Sequence, residues 1–284
     1  MSLYLYCLRE PVGTPPGTCP APSGIKSQGV NGKEGVIIRA FDGIETVISE
    51  VNFDDFGEMQ KKAQDDIHWI KETALAHEMV VEEAMGMSRS ERDKMMNNSI
   101  PVIPVKFGVI FNNDERLEKV IGEQNTAIRA AFDRIRAKQE WSVKLFLKDN
   151  QKFKELVREQ SEQLSGKSKT LAALPSGMAY FLEEELNRDL ECECSRRLDE
   201  EAMKTFDELK PFAAEAVLVK ILDSKLTGRS ERMILNSAYL VTNSHLPEFE
   251  KAVSIMREKL TSEGFLVEKS GPWPAYHFTE FAND

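Results

Sequence analysis

The sequence predicts an α+β protein of two domains, and three observations predict it. The chain has 284 residues, which at roughly 150 residues per domain is about 1.9 domains. Short runs with a period of two alternate with long stretches whose apolar residues recur every three to four positions. Near residue 138 the order of elements restarts. The expected organisation is therefore an N-terminal domain over 1–138, a small mixed sheet with two long helices. A C-terminal domain over 139–284 follows, ferredoxin-like (βαββαβ) with long helical insertions. With 41% hydrophobic and 30% charged residues, the chain can bury a core of this size.

In the first half, Leu3 to Leu8 reads as a strand covered on both faces, with Leu3, Leu5 and Cys7 on one side and Tyr4, Tyr6 and Leu8 on the other. Pro11 to Asn31 holds five prolines and four glycines and is expected to be a long loop. Gly35 to Phe41 and Ile44 to Val51 are β-rich runs joined by Asp42-Gly43, a strong hairpin signal. From Met59 to Ala84 the apolar residues form one helical stripe, with His77 in its gap. Ile100 to Phe111 reads as one buried strand in which Pro101 and Pro104 demand an edge, a bulge or a strand end. A second helix is expected from about Asn113 to Lys138.

The second half opens with a strand at Trp141 to Leu147 and helical sequence from Asn150 to Leu164. Ser165 to Thr170 looks like a polar break before a long helix from Gly177 to about Leu209. Ala214 to Leu222 and Arg232 to Thr242 read as strands. Pro247 suits the first turn of a helix that Gly264 ends, and Phe265 to Lys269 is the final strand.

Charge and composition exclude several functions. The chain carries 47 acidic against 37 basic residues, a net charge of −10, which opposes broad electrostatic binding of nucleic acid. No apolar run approaches the roughly 18 residues of a membrane span, and Met1 to Glu10 lacks the pattern of a secretory signal. A cytoplasmic address without membrane association is expected. Four cysteines are too few for a disulfide scaffold in a chain this long.

Each motif that suggests chemistry has a plainer explanation. Gly166-Lys167-Ser168 resembles the end of a phosphate loop, but Ser161 stands where the first glycine belongs and helical sequence precedes it. Cys192 and Cys194, two apart on a helix, point about 200° apart and do not converge on a metal ion. His77 could be a general base or a hydrogen-bonded core imidazole, and with no nucleophile, second ligand or phosphate loop beside it the structural role is favoured. The Glu183-Glu184-Glu185 run is expected to be a solvated face. The strand from Arg232 to Thr242 offers only Tyr239 for base stacking, unlike an RNA-recognition strand. No cofactor and no metal are expected.

Four strings carry a family resemblance. Gly271-Pro272-Trp273-Pro274-Ala275-Tyr276-His277-Phe278 resembles the C-terminal G-P-W-P-P-Y-x-F of the gas vesicle protein F/L family (GvpF/GvpL). Ile103 to Phe111, containing Pro104, Phe107 and Gly108, is similar to that family's P-[VL]-[RK]-F-G-x-[VI]-F, with His77 upstream where the family often has a helical histidine. Glu140-Trp141-Ser142-Val143-Lys144 resembles E-W-x-V-K, and Gly177-Met178-Ala179-Tyr180-Phe181-Leu182 resembles G-x-A-Y-L-x. Ala275 and His277 depart from the family pattern, and the loop from Glu10 to Glu34 looks longer than usual.

Physically these strings read as structural. Trp273 between two prolines makes a rigid extended segment able to lay an indole over an apolar groove, and Phe107-Gly108 suits a strand where backbones approach closely. The resemblance implies an accessory or minor structural protein of gas vesicle assembly, not an enzyme. Its partners would be the hydrophobic shell protein and other accessory proteins. A regulatory small-molecule-binding module of ferredoxin-like topology, or a hydrolase using His77, are the competing readings. A gene neighbourhood encoding shell proteins would favour the first.

Overall fold

A computed structural model describes residues 2–11, 25–30, 32, 35–52, 66–86, 100–171, 176–222 and 228–281. The chain divides into two compact units, one of Met1–Glu140 with Pro272–Asp284 and one of Trp141–Gly271.

The first unit is built on β1 (Ser2–Arg9), β2 (Ile37–Phe41), β3 (Ile44–Val51), β4 (Val102–Pro104) and β5 (Ile110–Phe111), with helices α1 (Ile67–Ala84) and α2 (Asp114–Ile135). The strand order is β2-β3-β1-β4, and β5 also pairs with β1. Asp42 and Gly43 form the β2–β3 turn with φ of +48° and +75°, as the Asp-Gly signal requires. Asn125 and Arg129 of α2 grip this turn by donating to the Asp42 carboxylate and carbonyl oxygen. Arg9 pairs with Glu45 at 2.5 Å across the sheet.

Four expectations for this half are corrected. The sheet is not mixed, because each strand pairing described here is antiparallel. The chain crosses from β3 through α1 to β4, but β1 lies between those two strands, so the parallel pair never meets. Ile100 to Phe111 is not one strand: Pro104 ends β4, and Phe107-Gly108 is a turn before β5. Gly108 adopts φ +92°, and a Cβ there would meet nothing within 4 Å. The glycine is needed for its left-handed backbone, not for close approach. Strict alternation in β1 also fails, since the register shifts between Leu5 and Cys7. Cys7 therefore joins Tyr4 and Tyr6 in the core cluster against Val80, Val81 and Ala84 of α1.

The expected helix start at 59–65 and most of the loop from Pro11 to Asn31 lie outside the described residues. Asp66 caps α1 by accepting the backbone N–H groups of His68 and Trp69. The Glu83 carboxylate accepts from Lys26 and Ser27, and the Tyr6 hydroxyl accepts from the Val30 N–H at 2.9 Å, so residues 25–30 are tied to the core.

The second unit contains α3 (Asn150–Gln160), α4 (Glu162–Leu171), α5 (Ser176–Leu209), β7 (Glu215–Leu218), β8 (Arg232–Thr242) and α6 (Leu246–Ser262). β6 (Lys138–Leu147) enters this unit and β9 (Phe265–Trp273) leaves it. Strand order is β7-β8-β6-β9. Met233 through Val241 are all buried in β8, as an inner strand requires. The buried side chains of α5, Leu186, Leu190, Cys194, Leu198, Ala202, Phe206 and Leu209, recur every three to four residues, the stripe of a helix packed on one face.

Here too the sequence reading needs correction. Ser165 to Thr170 is not a break but part of α4, and Gly166 is tolerated because Lys167 bridges to Glu185 and Asp189 of α5, each at 2.6 Å. The strand expected over 214–222 is regular only from Glu215 to Leu218, although Val219 still donates to the Asn236 carbonyl. The final strand runs on to Trp273. Among the described residues, no helix is long and apolar enough to cross a membrane.

Candidate functional site

Five of the sequence-selected residues, His77, Pro104, Phe107, Gly108 and Tyr276, meet in the first unit, around a buried aromatic cluster. Tyr4 and Tyr6 project from β1 with ring centroids 4.8 Å apart. His77 on α1 is 3% exposed and packs 5.7 Å from the Tyr4 ring, 5.5 Å from Tyr6 and 5.9 Å from Phe107. The Tyr4 hydroxyl accepts the Gly108 N–H at 3.1 Å and lies 2.9 Å from His77 Nδ1. Burial raises the Tyr4 pKa, so the phenol keeps its proton and donates it to Nδ1. That assigns the ring proton to Nε2, a buried atom without a hydrogen-bond partner among the described residues. Burial also lowers the His77 pKa to about 4, opposed in part by the Val105 backbone. His77 is thus a neutral core imidazole at physiological pH.

Above this core the surface is aromatic. Phe107 is 42% exposed and Tyr276 37%, and the Tyr276 hydroxyl donates to Glu78 at 2.7 Å, next to His77 in sequence. Pro104 is buried at the end of β4.

Pro272 to Phe278 supply the rest of this surface. Pro272, Pro274, Ala275 and Phe278 are buried. Trp273 shares a small recess with Met85, Ile100, Pro101 and Ile135. The Ala275 carbonyl accepts from the N–H groups of Phe278 and Thr279 and from the Thr279 hydroxyl, closing a compact turn. His277, a departure from the family pattern, is held by Glu140: the carboxylate accepts the His277 N–H at 3.1 Å and lies 2.6 Å from Nδ1. This hydrogen bond raises the His277 pKa against the opposing effect of burial.

Beside this turn lies a cavity of about 350 Å³ lined by Lys106, Arg134, Tyr276, His277, Thr279 and Glu280, among others.

The remaining selected residues belong to the second unit. Trp141 is buried in β6 with the Lys269 ammonium 4.0 Å from its ring centre. Gly177 lies in the first turn of α5. Tyr180 is 59% exposed, beside the 74% exposed Phe181. Gly271 takes φ +137° in β9.

Sequence reasoning missed Tyr4, Glu78 and Glu140 as parts of the site. Tyr4 and Tyr6 were legible as a two-residue aromatic repeat in β1, and Glu140 stood inside a quoted string. Glu78 carried no signal beyond its place next to His77. Among the described residues, no group of three or more His, Cys, Asp or Glu side chains is placed to hold a metal ion. Cys194 is buried and Cys192 exposed, so the two thiols point apart.

Comparison with known proteins gives a consistent result. The family model described as gas vesicle synthesis protein GvpL/GvpF matches residues 2–280. Gas vesicle protein L of Streptomyces sp. (strain CB03234) is 22% identical over 287 residues, covering 99% of this chain and 94% of that protein. The crystal structure of GvpF from Anabaena sp. PCC7120 superposes with a TM-score of 0.68 at 21% identity, covering 99% of both chains. GvpF from Microcystis aeruginosa gives 0.64 at 20% identity, covering 98% of this chain and 99% of that one. These structures share the fold.

Proposed function

The chain belongs to the gas vesicle synthesis protein GvpL/GvpF family, and from that premise we propose that it acts in gas vesicle assembly by binding the hydrophobic shell protein and other accessory proteins. On this reading it works in the cytoplasm, at the forming vesicle, and its task is binding without catalysis. The observation that carries the proposal is convergence. Residues Ile103–Phe111 and Pro272–Phe278, far apart in sequence, come together in the first unit, where Phe107 packs on His77 and Tyr276 donates to Glu78 while both stay exposed. Beneath them the buried His77 and Tyr4, through the Tyr4 hydroxyl that accepts the Gly108 N–H, fix the turn that presents Phe107. Exposed aromatic side chains on an ordered base are what an apolar partner selects.

The residues picked out in the second unit, Trp141, Gly177, Tyr180 and Gly271, serve its fold on this reading. Its strand order β7-β8-β6-β9 supports a ferredoxin-like arrangement with α3 and α4 inserted before α5.

An acidic chain offers an apolar partner little charge complementarity, so binding must bury apolar area, about 1,200–2,000 Å² for an ordinary specific complex. The association should therefore tolerate raised salt. The test is capture of co-expressed shell protein at low and high salt, beside a deletion strain examined for vesicles. Capture should persist at both salts, Phe107→Ser should weaken it about tenfold or more in a chain that circular dichroism shows still folded, and the deletion strain should form few vesicles. Normal vesicles in that strain together with no capture at either salt would overturn the reading.

A further inference from the structure

We propose that the cavity beside the C-terminal turn binds a carboxylate side chain from an acidic residue flanked by apolar ones, in an extended peptide segment of a partner protein. The inference takes only the protein nature of the partner from the assembly reading; the chemistry of the site rests on the cavity itself.

The chain carries ten more acidic than basic residues, yet Lys106, Arg134 and His277 all line this one cavity, whose described lining holds one acidic residue, Glu280, while Glu140 backs His277. Glu280 is a loose partner, 3.7 Å from the Lys106 ammonium with both side chains largely exposed. A surface ion pair of that kind is worth little and yields readily to an incoming carboxylate.

His277 is held in a fixed orientation. Glu140, 2% exposed, accepts from both the backbone N–H and Nδ1 of His277. That uses one ring nitrogen, fixes the ring, and leaves Nε2 to donate when the imidazole is protonated. The buried carboxylate also favours the protonated imidazole. Among the described residues, the other ionisable groups lining the cavity are Lys106, Arg134 and Glu280, with Tyr276 committed to Glu78. A basic site whose one histidine is oriented by a buried carboxylate is suited to charge-assisted hydrogen bonds with an anion.

The size and aromatic rim of the cavity fix the class of ligand. At about 350 Å³ the cavity accommodates a side chain and its adjoining backbone. Tyr276 lines it, while Phe107 follows Lys106 in the chain and is exposed. Apolar neighbours of the bound carboxylate would therefore find aromatic surface next to the cations, which a free dicarboxylate could not use.

The experiment uses the full chain with 15N-labelled histidine and titrates Ac-Ala-Leu-Glu-Leu-Ala-NH2, its Glu→Gln counterpart, and glutarate. The four histidines make the His277 ring signals assignable by a His277→Gln variant. The Glu peptide should shift the His277 ring signals and raise its pKa further. It should bind at least about tenfold more tightly than the Gln peptide and weaken severalfold between about 0.05 M and about 0.5 M salt. Lys106→Ala, at an exposed position, should weaken binding severalfold while melting as the parent does. Equal binding of the Glu and Gln peptides, glutarate binding as tightly as the Glu peptide, or an unmoved His277 signal would each overturn the proposal. Capture of shell protein by the same preparations is scored separately, so its failure would remove the assembly reading and leave the peptide result standing.

Discussion

At the scale of single residues, the clearest energetic commitment is His77. Its imidazole is enclosed by Tyr4, Tyr6 and Phe107 and accepts the Tyr4 proton, so it is neutral when folded, with a pKa lowered from 6.5 to about 4. The unfolded chain takes up a proton near pH 6.5, which the folded chain resists until about pH 4. Stability from this residue is therefore full above the unfolded value and is lost as pH falls through that window, by about 3 kcal/mol in the limit. Urea unfolding at about pH 7 and about pH 4 should show the parent losing roughly 2–3 kcal/mol more than His77→Gln over that interval. At neutral pH the variant should be about 1–3 kcal/mol less stable, because Tyr4 loses its buried partner. Equal acid sensitivity in both proteins would mean that His77 titrates in the fold as it does in the unfolded chain.

Among elements, α2 allows two substitutions of opposite sign on one helix. Asn113 caps it by accepting the Arg116 N–H at 2.9 Å, so Asn113→Ala should cost about 1 kcal/mol. Gly122 is an exposed helix-interior position where an added Cβ meets nothing within 4 Å, so Gly122→Ala should stabilise by about 0.5–1 kcal/mol. Shifts of the urea midpoint check both. This is also the scale at which the sequence was most readable. The 3.6-residue stripe of α2, the Asp-Gly turn of the hairpin and the run of buried residues in β8 are local patterns, and each marks its element within a few residues. What escaped was set by contacts between distant residues. Gly166 reads as a helix breaker until Glu185 and Asp189 are seen to hold Lys167. Cys7 reads as a partner of Leu3 until the β1 bulge turns it toward α1. The candidate site was half legible for the same reason: the strings named Phe107 and Tyr276, but only the fold sets both near the Tyr4–His77 pair.

At the scale of the whole molecule, the last residues of the chain belong to the unit in which it begins. Residues 272–284 group with Met1–Glu140, and the second unit, Trp141–Gly271, is threaded between them. The cause is in the C-terminal string. Pro272, Pro274, Phe278 and Phe281 are buried, and Glu140, almost without solvent contact, is satisfied by His277. Ending the chain after Gly271 would uncover the surface that Phe278 and Phe281 protect, at about 1.5–3 kcal/mol for each aromatic side chain. It would also leave the Glu140 carboxylate without these donors in an apolar setting, a further cost of about 1–3 kcal/mol. The second unit keeps its four strands except for the last two residues of β9, so the loss should fall on the first unit. Calorimetry of the truncated chain should show one transition lowered sharply and another close to its original temperature. Hydrogen exchange should rise in β1, β4 and α1 while β8 stays protected. If both units lost stability equally, the C-terminal turn would be bracing the whole chain and not the first unit alone.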